Sequence, residues 1–237
     1  MTTSITHTVP DVGRLKPVLS IVEGRSGADN ILSGPRYALD PTYIPEMITP
    51  SITTVILAGG KGIRIGGNKG LQLLHGKALI DWVLDAIRPH SDEILINANA
   101  NTNDYEKRGY RIITDHSPEH AGPLAGLQAA LHGARHGWLA CVPCDTPFLP
   151  DNLIHRLCSA ITPTTEVVVA VADGQRQPTI ALYRKSVLPK LDAYLDSGAR
   201  KAGDWLHILD VSEVVFENAV AFANINSLEE LAVANRP

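Results

Sequence analysis

Cysteine is scarce in this chain. Cys141, Cys144 and Cys158 are the only three among 237 residues, too few for a disulfide framework and in keeping with a reducing cytoplasm, the expected location. Long apolar runs are missing too: no stretch reaches about eighteen consecutive apolar residues, which excludes a membrane-spanning helix on length. There is no basic excess, with 21 Lys and Arg against 25 Asp and Glu and a net charge of -4. Neither nucleic acid nor a membrane is therefore an expected partner. The nine histidines are scattered, and no pair has His-Glu-x-x-His spacing. Cys141 and Cys144 form a C-x-x-C, but no second pair completes a zinc site and the motif lies in an apolar run. Packing at a strand end is the expected role, ahead of metal or redox chemistry.

Acid is absent where glycine and base concentrate. No Asp or Glu occurs between Glu46 and Asp81, and the twelve positions 59–70 hold six glycines together with Lys61, Arg64 and Lys69. Glycine lets a backbone turn through positive φ and bring its N–H groups close to an anion, and the cations would meet a polyphosphate unopposed. The loop follows the β-branched run Thr53-Thr54-Val55-Ile56, so it reads as a phosphate cradle at the end of a strand. Two familiar cradles do not fit. No Gly-Lys is followed by Ser or Thr, so the loop is not a Walker A motif. Gly60, Gly62 and Gly66 approximate a dinucleotide fingerprint, yet the end of the second strand carries the neutral Asn97 where an acid would hold ribose hydroxyls.

Residues 1–50 differ from the rest: they hold six of the sixteen prolines and show no sustained period, as expected of an irregular N-terminal extension. Four basic and five acidic residues there do not suit a transit peptide. The only methionines are Met1 and Met47, and Met47 stands six residues before the first strand. Translation is expected to begin there; the intact mass of the natively expressed protein tests this, and a full-length mass refutes it.

From residue 51 to 237 a second region alternates strand and helix. Strands are expected at 53–58, 93–98, 111–114 and 138–142, with helices at 77–88, 124–135 and 150–160. The runs 166–172 and 178–183, separated by residues 173–177, should form a hairpin. Helices at 187–195 and 202–209, a strand at 211–216 and a final helix capped at Ser227 complete the pattern. Such alternation implies an α/β fold with a largely parallel sheet and ligands at the carboxyl ends of its strands.

The chemistry-bearing residues fall at those ends. Asp115 and Asp145 each follow an apolar strand, and Asp145 is stiffened by Pro143 and Pro147. Magnesium is commonly held by one or two carboxylates plus substrate phosphates, so Asp145 is a candidate metal ligand and Asp115 a candidate nucleotide contact. A structural turn or a helix cap is the plainer reading of each. The stretch Gly122-Pro123-Leu124-Ala125-Gly126 would let backbone approach a ligand at a helix start, although helix punctuation explains it as well. Asn224 and Asn226 lie two apart, so in an extended segment both amides share a side with Ile225 opposite; they could bind a polar substrate or form a polar turn.

Together, Leu57-Ala-Gly-Gly, Arg64-Ile-Gly-Gly, Lys69-Gly-Leu, Gly76-Lys-Ala-Leu, Asn97-Ala-Asn, Gly122-Pro-Leu-Ala-Gly, Pro143-Cys-Asp-Thr-Pro, Pro178-Thr-Ile-Ala-Leu and Asn224-Ile-Asn resemble the molybdenum cofactor guanylyltransferases over residues 53–235. The resemblance implies a Rossmann-like three-layer αβα sandwich of nucleotidyltransferase type. It also implies transfer of GMP from GTP to the phosphate of molybdenum-molybdopterin, with Mg²⁺ as cofactor and pyrophosphate released. Molybdoenzyme apoproteins and cofactor-assembly proteins are further implied partners. Carried over by position, Leu57, Ala58, Gly59, Gly60, Lys69, Asn97, Asp115 and Asp145 would bind nucleotide. Asp145 would hold the metal, and Arg64 and Lys69 would act with it in catalysis. Gly122, Pro123, Asn224 and Asn226 would face the second substrate. The loop departs from the family's Gly-Gly-x-Asp-Lys-Gly, since Gly67-Asn68-Lys69-Gly70 is one residue shorter and carries Asn for Asp; activity is expected to survive. The alternatives are a cytidylyltransferase or sugar-phosphate nucleotidyltransferase of the same fold, and a non-catalytic cofactor carrier.

Overall fold

A computed structural model describes residues 50–59, 68–116 and 122–236, which belong to a compact unit spanning Met47–Pro237. The expectations for the N-terminal extension and Met47, and for Gly60, Lys61 and Arg64, lie outside the described residues.

The chain enters through strand β1 (Ile52–Leu57). After the glycine loop comes a feature that periodicity did not reveal, a small antiparallel hairpin of β2 (Leu73–Leu74) and β3 (Lys77–Ala78). Its turn residues His75 and Gly76 take φ of 49° and 76°, the left-handed pair that a two-residue hairpin needs. The hairpin takes the first turn of the helix expected from residue 77, so α1 (Leu79–Ile87) starts two residues later.

Strand β4 (Glu93–Asn97) follows, then an unpredicted short helix, α2 (Thr102–Glu106), and β5 (Arg111–Ile113). Helix α3 (Pro123–Gly133) leads to β6 (Trp138–Pro143), and α4 (Leu153–Ser159) to β7 (Val167–Ala172). Strand β8 (Gln175–Arg184) begins three residues earlier than its apolar run. Asp173 and Gly174 alone make the turn, at φ of 50° and 67°. The extra length is absorbed by a register shift, since Val169 faces Ala181 while Ala170 faces Gln177; Pro178, with no N–H to donate, falls in that irregularity. Helix α5 (Leu188–Asp196), α6 (Ala202–Trp205) continued by a 3-10 turn, β9 (Val211–Phe216) and α7 (Leu228–Ala234) complete the chain.

Seven strands form one sheet in the order β5-β4-β1-β6-β8-β7-β9. Every neighbouring pair is parallel except β8 with β6 and with β7, so the fold is the expected mostly parallel α/β sheet. Alternation along the strands sends Ile52 and Ile56, Ile94 and Ile96, and Ala140 and Val142 to the face covered by α1 and α4. Val55, Leu95, Leu139 and Cys141 pack on the other, against α3, α5 and α6. Both faces are therefore buried, which is why the strands read as continuous apolar runs. Among the described residues no helix is long and apolar enough to cross a membrane.

At the amino edge the sheet is pinned by one carboxylate. Glu93 accepts hydrogen bonds from the Thr53 hydroxyl and the Arg135 N–H, each at 2.8 Å. Burial pushes the Glu93 carboxyl up, but those bonds with the nearby Arg111 and Arg135 charges outweigh it, and its pKa lies below the usual value of 4.5. Glu166, opposed in the same way by burial and held by Lys190 and the Asp210 N–H, is also depressed. A depressed carboxylate contributes its stability fully above the unfolded pKa and loses it as pH falls through the folded one. The urea midpoint should thus hold from neutrality to about pH 4.5 and fall below it. Glu93→Gln should cost about 1–3 kcal/mol at pH 7 and flatten the acid limb; an unchanged acid limb would count against this role.

Candidate active site

Register brings the site together. Leu57 at the end of β1 lies opposite Asn97 on β4 and Pro143 on β6, so the segments leaving these three strands emerge side by side at the carboxyl edge. Adjacent backbones stitch the exit: the Ala58 N–H donates to the Asn97 carbonyl at 2.8 Å and the Cys144 N–H to the Leu57 carbonyl at 3.1 Å. Two polar clusters stand on this rim.

The first is built on Asp115. Its carboxylate accepts the Asn97 amide through Oδ1 and the Asn99 amide through Oδ2, both at 2.8 Å, and its own N–H donates to Asn99 Oδ1 at 2.9 Å. Asn97 is 3% exposed, so this bonding satisfies a buried amide and fixes its orientation. Its carbonyl oxygen then faces glycine backbone. A Cβ on Gly59 would lie 2.9 Å from Asn99 Nδ2 and 3.1 Å from Asn97 Oδ1. A Cβ on Gly126, in the second turn of α3, would overlap Asn97 Oδ1 and come within 2.8 Å of Leu57 Cδ2. Gly126 thus seats α3 closely on the strand ends. Gly122 caps the helix at φ 134° with Pro123 as its first residue, the punctuation that helix starts favour.

The second cluster is built on Asp145, 7% exposed. The Lys69 ammonium forms an ion pair with its carboxylate and donates to Asn226 Oδ1 at 2.6 Å. The Thr146 hydroxyl donates to Asn224 Oδ1 at 2.7 Å, and the Ile225 N–H to the Asp145 carbonyl at 2.9 Å. Ile225 itself turns inward, joining Leu74, Leu79 and Leu231 in a small apolar core, as the two-residue spacing of Asn224 and Asn226 leads one to expect. That core packs α7 on the β2–β3 hairpin, and Asn235 fastens it, accepting the His75 N–H at 2.6 Å and donating to the Leu73 carbonyl at 3.2 Å. At the start of α7, Ser227 accepts the Glu230 N–H at 3.1 Å while the Glu230 carboxylate accepts from the Asn226 N–H at 2.5 Å, a variant of the capping box. The last helix therefore holds the Asn224–Asn226 segment against Lys69, although more than 150 residues separate them in sequence.

Of the candidates, Leu57, Ala58, Gly59, Lys69, Asn97, Asp115, Gly122, Pro123, Asp145, Asn224 and Asn226 are described, and the hydrogen-bonded ones resolve into these two clusters. Gly60 and Arg64 lie outside the described residues. The shortened loop does not keep Lys69 from Asp145. Asn99 and Thr146 join the clusters without having been assigned roles; their signal was spacing, two residues after Asn97 and next to Asp145. The C-x-x-C is not a chelating pair: Cys141 packs on the α3 face and Cys144 on the α1 face. Burial pushes the Cys144 thiol up to about 12.

For a divalent metal, the Asp145 cluster offers one carboxylate and the carboxamide oxygens of Asn224 and Asn226. Among the described residues no group of three or more His, Cys, Asp or Glu could form a protein cage. Such a hard, sparse oxygen set fits Mg²⁺ held largely by substrate phosphates and water, and does not fit a structural zinc.

Comparison with known proteins follows the same lines. The family described as the MobA-like NTP transferase domain matches residues 54–211. The molybdenum cofactor guanylyltransferase of Cupriavidus metallidurans is 45% identical over 187 residues, covering 76% of this chain and 92% of that protein. The enzyme of the same name from Vibrio vulnificus is 41% identical over 188 residues, covering 78% and 96%. Among solved structures, molybdopterin-guanine dinucleotide biosynthesis protein A from Archaeoglobus fulgidus superposes with a TM-score of 0.64 at 25% identity, covering 77% of this chain and 96% of that one. With its sheet order, its paired rim clusters and relatives of this similarity, the chain belongs to the molybdenum cofactor guanylyltransferase family of MobA-like NTP transferases.

Proposed function

We propose that this rim transfers GMP from GTP to the terminal phosphate of molybdenum-molybdopterin, in the cytoplasm and with Mg²⁺. The observation that carries the reading is the Lys69–Asp145 pair with Asn226, across β1 from the Asn97–Asp115 cluster. One cluster suits phosphates and metal, the other a nucleoside. In the reaction an oxygen of the acceptor phosphate bonds to the α-phosphorus of GTP as the bond to the β-phosphate oxygen breaks, and pyrophosphate leaves. A phosphate nucleophile is ionised at neutral pH, so no side chain need act as general base.

The chain's own residues bind and orient. The backbone of Leu57, Ala58 and Gly59 with Asn97 and Asp115 would hold the nucleoside. Lys69 would neutralise charge developing on the phosphates, and Arg64 would orient the departing pyrophosphate. Asp145, aided by the amides of Asn224 and Asn226, would hold Mg²⁺, which when bound supplies charge neutralisation at the phosphates. Gly122, Pro123, Asn224 and Asn226 would line the molybdopterin side, from which finished cofactor passes to apoenzymes. Mixing the protein with GTP, Mg²⁺ and molybdenum-molybdopterin should release pyrophosphate and form the guanine dinucleotide, with GTP protecting the protein from proteolysis better than CTP. Equal protection by CTP would favour a cytidylyltransferase, and silence with cofactor still bound would favour a carrier.

A further inference from the structure

We propose that Asn101 and Tyr105 are positioning residues that set the Lys69 ammonium, gripping the turn of residues 68–70 from its two ends. The inference rests on the guanylyltransferase reading of the Lys69–Asp145 pair, and neither residue carries chemistry of its own.

The grip is built from α2, the short helix that periodicity missed. Asn101, which caps it, donates its amide to Asn68 Oδ1. Both asparagines sit in the left-handed region, at φ 53° and 47°, a conformation Asn tolerates better than most side chains because its amide can bond locally. At the other end of the turn, the Tyr105 hydroxyl lies against the Gly70 backbone, and Tyr105 is 1% exposed. A side chain at Gly70 would be tight: a Cβ there would stand 3.0 Å from the Tyr105 oxygen and 3.2 Å from both Cβ and Sγ of Cys144. Its backbone is therefore wedged between Tyr105 and the residue that precedes Asp145. Lys69 lies between these two fixed points, which leaves its stem one short path to Asp145 and Asn226.

The helix that grips is itself held. Arg108, just past α2, makes paired bonds to Asp81 on α1, at 2.6 Å and 2.9 Å, and a third to the Asp104 carbonyl at 2.8 Å. Its guanidinium also lies over the Tyr105 ring, 5.9 Å from the centroid. The chain from α1 through Arg108 and Tyr105 to Gly70 is continuous, and it ends on the backbone next to the lysine. A loop so rich in glycine cannot fix a long side chain alone; the clamp supplies that order from outside. Asn68, where the family commonly has Asp, finds a neutral donor in Asn101.

The test uses Tyr105→Phe, which deletes the hydroxyl, and Asn101→Gly, which keeps the positive-φ backbone and deletes the amide. For pyrophosphate release with GTP, kcat should fall roughly ten- to a hundredfold in each, as expected for a misplaced catalytic group, while KM for GTP stays within about twofold. In a Lys69→Ala background neither change should lower kcat further, because both act through that lysine. Independently of turnover, reductive methylation followed by peptide mapping should modify Lys69 several times faster in both variants than in the parent, while Lys107 and Lys185 react unchanged. Parent-like Lys69 methylation in both variants would overturn the proposal, as would losses of kcat that persist in full in the Lys69→Ala background. A parent protein that releases no pyrophosphate would refute the guanylyltransferase reading instead, and the methylation comparison would still decide the clamp.

Discussion

Asp145→Asn should lower GMP transfer by roughly a hundred- to a thousandfold while the protein stays folded, the loss typical of removing one preorganised electrostatic group from a reaction centre. The substitution keeps the shape of the side chain and its place beside Thr146, and Lys69 keeps its bond to Asn226, so the melting temperature should move little. What disappears is the negative charge that pairs with Lys69 and that would hold the metal. Lys69→Ala should lose turnover to a similar extent for the complementary reason, since the charge facing the phosphates is gone. Circular dichroism and pyrophosphate release on the same samples separate folding from chemistry. Near-parental turnover in either variant would sink the assignment of the pair.

Gly126→Ala should damage both stability and nucleotide binding. The added carbon would overlap the Asn97 carbonyl oxygen and stand 2.8 Å from Leu57 Cδ2 and 2.9 Å from Asn97 Cγ, with Asn97 buried and Leu57 hemmed in at the end of a central strand. Overpacking of this kind costs about 1–3 kcal/mol. Relief requires α3 to lift or the Asn97 amide to turn, and turning it breaks the bond to Asp115. GTP affinity should therefore fall at least about tenfold, or some 1.4 kcal/mol. Gly59→Ala should be milder, because its nearest obstacle is the amide end of Asn99, at 2.9 Å, which can swing aside. Denaturant melts and GTP titrations check both; a Gly126→Ala protein with parental stability and affinity would show that α3 is not seated as described.

Long, strongly apolar elements were legible in the chain. β1, β4 and β6 fall within a residue of their expected limits because their apolar runs are buried on both faces of the sheet, and the half-exposed edge strand β9 falls on its limits as well. Short elements were not. The β2–β3 hairpin has two residues a side, too few to display a period, and α2 buries only Tyr105. Their positions depend on contacts remote in sequence, with α7 for the hairpin and with the Lys69 turn for α2. The site shows the same division. Asp145 and Asn97 announce themselves as polar residues at the ends of apolar strands, whereas Asn101 and Tyr105 look like ordinary loop residues until the turn of residues 68–70 is laid beside them, and Asn99 until Asp115 is.

By itself the sequence determined the alternation of strand and helix, the glycine-rich basic loop after the first strand, and the polar residues at the strand ends, all of which follow from local periodicity and residue chemistry. Only the tertiary structure decided that Lys69 meets Asp145 and Asn226, that Asp115 is occupied by two amides, and that Gly126 packs against Asn97 and Leu57. The reason is physical: hydrogen bonds and ion pairs between residues tens to more than a hundred positions apart leave no local pattern, and they exist only once strand register and the docking of α2, α3 and α7 have brought the partners within reach.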